Sequence, residues 1–274
     1  MTEAEWLECD DPVAMIEFLR GNPVGEDEIS WGKNRHQWQD PPHGRDRRFR
    51  HFACKCCHRV WEQIPFECNR AAVSAVEELL EGNISPDQAW EAFTASSAVE
   101  WKEDGSGRRP EPGYWVVKVL GRGFYKMTAG ASALLIAMRV IGMTAGDYGH
   151  EAEREFDACY YVGGGVFLRP FRWPVPIPTA ARAEIGFQVA LLHDLFGNPF
   201  RPVAVHPIWL TWNDGTVQRI AQAIYDERAF DRMPILADAL EDAGCLDPDI
   251  LNHCRQPGVH VRGCWVIDAL LGKE

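Results

Sequence analysis

The stretch TWNDGTVQRIAQAIYDERAFDRMPILADALEDAGCLDPDILNHCRQPGVHVRGCWVIDALLGKE, Thr211–Glu274, decides the fold class. Asn213-Asp214-Gly215 offers an N-cap, because a short polar side chain can accept from the free N–H groups of a first helical turn. Val217, Ile220, Ala221 and Ile224 then recur at helical spacing as one apolar stripe. Asp231 is placed to cap a second helix, with Pro234 in its first turn, where a missing N–H does least harm. Met233, Leu236, Ala237 and Leu240 form its buried face, and Gly244 is its stop. Asp247-Pro248 opens a third, short helix ending near Cys254. Gln256-Pro257-Gly258 breaks the chain, and a last helix is expected from about Gly263 to Leu271. Four short amphipathic helices with tight links predict a compact helical unit.

Outward from this stretch, helical signals dominate. Asp11-Pro12 starts a helix carrying Met15, Phe18 and Leu19, and Gly21 stops it. Positions 22–44 read as a polar loop holding Trp31 and Trp38. Arg45–Ile64 follows the 3.6-residue period through Phe49, Phe52, Ala53, Cys56, Cys57, Val60, Trp61 and Ile64. Asn69–Glu81 gives another helix. Ser85-Pro86-Asp87-Gln88 is a capping box, in which Ser85 caps and Gln88 reaches back. That helix runs to about Trp101. Positions 103–113 read as a loop, and Tyr114–Leu120 (YWVVKVL) is the single strand candidate. Helices are expected over Thr128–Ile141 and Glu151–Val162. Positions 163–178, with a triple glycine and four prolines, cannot be regular structure. Thr179 then caps a long helix to Phe196, ended by Gly197. The expected fold is mainly α: a compact multi-helix bundle with long Pro/Gly-rich loops and at most a minor β element. Its parts are an N-terminal helical region (1–101), a variable middle region with loops (102–178) and a C-terminal helical region (179–274), with one domain made of all three as the alternative. Whether the two ends share one core is open at this stage.

The chain has 274 residues, a net charge of −12 and nine cysteines. The charge disfavours nucleic acid, whose binding needs surplus Lys and Arg to replace counterions, and anionic membrane surfaces as well. The longest apolar run, Ala129–Gly142, contains Arg139 and is too short to span a bilayer. The N-terminus lacks the basic-then-apolar layout of a signal peptide. A cytoplasmic chain is expected, with its cysteines as thiols or metal ligands, not disulfides.

Two Cys/His clusters bear on chemistry. Cys245, His253, Cys254, His260 and Cys264 crowd into the tail; thiolate and imidazole suit zinc, although the C-x2-C knuckle of a zinc ribbon is missing. Cys54, Cys57 and His58 form the second. Cys54 can share a helix face with either Cys57 or His58, while Cys56 points elsewhere. Against both stands the packing alternative, in which cysteines serve as small apolar core residues. Adjacent His253 and Cys254 as a base and nucleophile are disfavoured, since neighbours on a helix point about 100° apart. Tyr225-Asp226-Glu227-Arg228, with Asp231 and Arg232, could supply paired carboxylates for acid–base work, or a solvated helix end. Gly121-Arg122-Gly123 and Gly163-Gly164-Gly165 match no phosphate-binding motif in full. Arg45, Arg47, Arg48 and Arg50 could meet an anion or pair within the chain. Trp173, Trp209 and Trp212 could face a partner or fill gaps between helices.

GNPFRP (Gly197–Pro202), LTWNDGT (Leu210–Thr216), AIYDERAFDRMPILADALEDAGC (Ala223–Cys245) and HVRGCWVIDALLGKE (His260–Glu274) resemble the ending shared by a large paralogous protein family of planctomycete-type bacteria. MTEAEWLECDDPVAMIEFLRG (Met1–Gly21) and HFACKCCHRVW (His51–Trp61) resemble its opening, with Lys55 and His58 as departures from the family's FACACCRR. The resemblance covers both ends of the chain. It implies relatedness and carries no catalytic residue across.

No catalytic or cofactor motif is complete, so catalytic residues stay unassigned and no cofactor is expected. The first expectation is therefore a protein-interaction or adaptor module with a protein partner. One alternative is a zinc-binding protein using a Cys/His cluster. Another is a hydrolase or transferase with acidic residues from the Asp226 region.

Overall fold

The computed structural model describes residues 1–21, 44–64, 66–98, 136–137, 140 and 179–273. Of these, 75% are helical and none lies in a strand, so the chain is mainly α. The expected loops at 22–44, 103–113 and 163–178, the strand at Tyr114–Leu120 and the helix at Glu151–Val162 lie outside the described residues. So does most of the helix expected over Thr128–Ile141. Two compact units are present: Met1–Glu8 with Val189–Glu274, and Cys9–Gln188. Of the expected N-terminal region, Met1–Glu8 falls in the unit with Val189–Glu274 and the described remainder falls in the other.

In the unit Cys9–Gln188, α2 (Pro12–Arg20) begins as expected. Asp11 accepts from the Val13 N–H at 2.9 Å, and Gly21, at φ +79°, closes the helix by donating to the Phe18 carbonyl. Val13, Met15, Ile16 and Leu19 are its buried face. Helix α3 (Gly44–Arg59) buries Phe49, Phe52, Ala53 and all three of its cysteines. It stops short of the expected Ile64, giving way to one 3-10 turn at Trp61–Gln63. The reason is in the sequence: Pro65 pushes the residue before it out of the α region, and Ile64 is extended. Helices α4 (Glu67–Leu80) and α5 (Pro86–Ala98) pack together. Buried Ser96 donates to Asn69 Oδ1 at 2.6 Å. The capping box is formed: Ser85 N–H donates to Gln88 Oε1 at 2.8 Å, and Gln88 N–H to Ser85 Oγ at 3.3 Å. Helix α6 (Thr179–Phe196) contributes to both units, with the division falling after Gln188.

The other unit opens with α1 (Glu3–Glu8), a helix the sequence reading did not foresee. Thr2 and Glu5 cap it reciprocally, through Thr2 N–H to Glu5 at 2.7 Å and Glu5 N–H to Thr2 Oγ1 at 3.3 Å. Its single buried residue, Trp6, is fully enclosed and donates from Nε1 to the Gly197 carbonyl at 3.0 Å. Helices α7 (Pro207–Thr211), α8 (Thr216–Glu227), α9 (Met233–Asp242), α10 (Pro248–Arg255) and α11 (Trp265–Leu271) complete it. Val217, Ala221, Ile224, Met233, Leu236, Leu240, Ile250, Cys254, Val266 and Ile267 share one core. Asp247 caps α10 as expected, accepting from Asp249 N–H at 2.9 Å.

Two expected caps are corrected. Asn213 and Asp214 do not cap α8. They take left-handed φ values of +46° and +56° ahead of Gly215 at +77°, and Gly215 is the cap without any side-chain bond. Asp231 does not cap α9 either; it lies in a 3-10 turn, Phe230–Arg232, and Arg232 takes the cap position. In both cases a tight link consumes the residue that would have capped. The final helix begins at Trp265, with Cys264 at its N-cap.

Candidate metal centre

The site grows from the C-terminal turn of α6. In ALLHDLFG, Leu191, Leu192, Leu195 and Phe196 are buried, and so is the one acidic residue among them, Asp194, whose side chain is 1% exposed. A carboxylate this enclosed must be partnered or it would cost several kcal/mol. Its partners come from about sixty residues downstream. Helix α10 turns Ile250, Leu251 and Cys254 inward and sets His253 at the edge of that face. The irregular turn after it delivers His260 and Val261, and Cys264 follows at the N-cap of α11.

Four side chains converge. His260 Nδ1 lies 2.7 Å from Asp194 Oδ1. His253 Nε2 lies 3.3 Å from the same oxygen and 3.2 Å from Cys264 Sγ. One ligand atom from each of Asp194, His253, His260 and Cys264 fits within 4.8 Å of all the others. Bond lengths to zinc of about 2.0–2.3 Å place the edges of a tetrahedron at roughly 3.3–3.7 Å, close to the two His253 distances, whereas His260 and Asp194, 2.7 Å apart, are at hydrogen-bond distance and would have to part around an ion. Asp194 Oδ2 accepts from the Val261 N–H at 3.0 Å, which fixes the carboxylate plane. This buried Asp/His/His/Cys group could hold a metal ion. Two neutral imidazoles, one thiolate and one carboxylate would offset a divalent charge.

The local electrostatics suit a positive ion. Burial pushes the Asp194 pKa up, but hydrogen bonds and charge from His253 and His260 more than offset it, and the net shift is down. Burial lowers that of His260, and the Asp194 hydrogen bond and charge, with help from the Gln256 backbone, outweigh it, so the net shift is up. Cys264 is driven well up, first by burial and then by the charge of Asp194. Without a cation, its thiolate is therefore unfavourable.

The arrangement differs from a catalytic Cys-His-Asp relay. There, one imidazole nitrogen faces the thiol and the other faces the carboxylate. Here the same Nε2 of His253 faces both, which is not the geometry of a relay. A nucleophilic cysteine also needs a lowered pKa and access, and Cys264 is fully buried.

Of the tail cluster, the structure brings His253, His260 and Cys264 together and leaves Cys245 and Cys254 in the hydrophobic core. Burial, followed by the charges of Cys245 and Asp194, pushes Cys254 up to about 12. Asp194 was missed by the sequence reading. Its signal was available: a lone acid inside an apolar helical run. The neighbouring His193 meets the Trp6 ring edge-on, centroids 5.4 Å apart. Cys54, Cys57 and His58 join no comparable ligand group among the described residues. The two cysteines are buried in α3, while His58 bonds Glu77 at 3.0 Å and stacks on Trp61. Asp226 and Glu227 are exposed; Asp226 accepts from Gln222 at 2.8 Å, and Glu227 pairs with Arg232 at 2.7 Å. A cavity of about 310 Å³ lies beside Trp265, lined also by Asn198, Arg201, Asp247 and Asp249, and none of the four candidate ligands lines it. Among the described residues no helix is long and apolar enough to cross a membrane. No family model, curated protein or solved structure matches the chain.

Proposed function

We propose that the chain is a zinc-binding protein whose C-terminal helical unit is built around Asp194, His253, His260 and Cys264. The observation that carries this reading is the convergence of four donor atoms within 4.8 Å, one imidazole nitrogen facing both the thiol and the carboxylate. Mixed N, S and O donors around a small space favour zinc over the all-oxygen ions calcium and magnesium. Four protein ligands with no open position characterise structural zinc rather than catalytic zinc. The metal then holds a scaffold, and the chain's work is recognition of a protein partner by the helical surface. Elemental analysis of protein purified without added metal is the test. Close to one zinc per chain is expected, and cobalt substitution should produce a thiolate-to-metal absorption band. Less than about 0.1 metal per chain would sink the reading, because a structural site fills stoichiometrically.

A further inference from the structure

We propose that metal occupancy of this site regulates the docking of the arm Gln256–Leu271, so that the last helix is ordered when the ion is bound and released when it is withdrawn. This rests on the metal-site reading above and adds a consequence to it.

The arm has little else to hold its first half. Gln256 to Arg262 forms no helix, and Gln256, Pro257 and Gly258 are exposed. Val259, His260, Val261 and Arg262 are only partly buried. What fastens this segment is polar, and it converges on one carboxylate: His260 and the Val261 N–H both meet Asp194. Arg262 adds hydrogen bonds to the carbonyls of Tyr225 and Asp226, at 3.1 and 3.2 Å. The second half is α11, seven residues long. A helix that short does not persist without tertiary packing. Its buried residues Trp265, Val266, Ile267 and Leu270 pack into the core built by α8, α9 and α10.

The ligands divide across this joint. His260 and Cys264 belong to the arm, whereas Asp194 and His253 sit on α6 and α10. A bound ion is therefore a cross-link between arm and body. Cys264 is also the N-cap of α11, so its ligation fixes the start of the helix it leads. Without the ion the first half of the arm is held by the His260 and Val261 contacts to Asp194 and the Arg262 hydrogen bonds, and its release uncovers the apolar face of α11.

Hydrogen exchange on the full-length chain, followed by mass spectrometry, tests this in zinc, in a chelator, and after zinc is restored. With free zinc about 1,000-fold above its dissociation constant, linkage predicts that chelation lowers protection in 256–271 by up to about 1,000-fold. Restored zinc should return it. Protection in α3 and α4 should not change. His260→Ala in zinc should match the chelated wild type in the arm, with α3 and α4 still protected. Stoichiometric zinc with the same exchange in all three conditions would overturn the proposal and leave the metal reading standing. Loss of protection across the whole chain would also overturn it, since the ion would then govern global folding. Absence of zinc from the protein would remove both.

Discussion

Val261 donates its backbone N–H to Asp194 Oδ2 at 3.0 Å, while the other oxygen of that carboxylate meets His260 at 2.7 Å. One side chain at the end of α6 thus grips both main chain and side chain of a segment 66 residues away. Asp194→Asn keeps the shape and removes the charge. Cobalt affinity should fall beyond the roughly 10–100-fold seen when only a partner outside the ligand shell is lost. In zinc, the variant should lose at least about 2 kcal/mol in urea unfolding, as for a hydrogen bond to a charged group. Unchanged cobalt binding would show that Asp194 is no ligand.

Cys264 and Cys254 are both fully buried thiols, ten positions apart, but only Cys264 belongs to the candidate ligand group. Cys264→Ser should abolish the thiolate absorption band of the cobalt-loaded protein. Cys254→Ser should retain the band and cost roughly 1–3 kcal/mol for burying a hydroxyl in an apolar core. Loss of the band in the second variant and not the first would reassign the sulfur ligand.

Gly197 has φ +61°, and a Cβ there would meet the Trp265 indole at 3.0–3.1 Å. Gly197→Ala therefore combines a left-handed backbone with overpacking against a ring that lies 5.0 Å from His253. A loss of about 1–3 kcal/mol is expected in chemical denaturation. Wild-type stability for this variant would mean that the Trp265 ring moves aside freely.

Glu77 offers a pH test that does not involve the candidate metal ligands. Burial pushes its pKa up, but the His58 hydrogen bond and the charge and hydrogen bond of Lys55 prevail, bringing it from 4.5 down to about 2. Both contacts are short, 2.9 Å to Lys55 and 3.0 Å to His58. A depressed carboxylate stabilises the fold above its unfolded pKa and loses that contribution as pH falls toward the folded one. The window is thus between 4.5 and about 2. A contribution on the order of 2 kcal/mol is expected, discounted because His58 is partly exposed. Glu77→Gln should flatten the acid limb of stability against pH; an unaltered limb would count against the pairing.

Much of the chemistry that acts within a few residues was readable along the chain. The Asp11, Ser85 and Asp247 caps form as their spacing dictates, because each bond spans at most one helical turn. The apolar stripes of α8 and α9 face the core because a 3.6-residue period leaves them no other common side. The cap expected from Asn213 failed because three successive left-handed residues, Asn213, Asp214 and Gly215, take up the turn instead, and that choice is set by how α7 joins α8.

By itself, then, the sequence determined a helical chain and marked two groups of candidate metal ligands, Cys54, Cys57 and His58, and Cys245, His253, Cys254, His260 and Cys264, beside the alternative that they pack a core. Only the tertiary structure decided that His253, His260 and Cys264 meet Asp194, that Cys245 and Cys254 stay in the core, and that Met1–Glu8 belongs with the C-terminal unit. The physical reason is range. Helix periods and caps act over a few residues, whereas gathering donor atoms from positions 194 to 264 depends on how α6, α10 and the final turn pack.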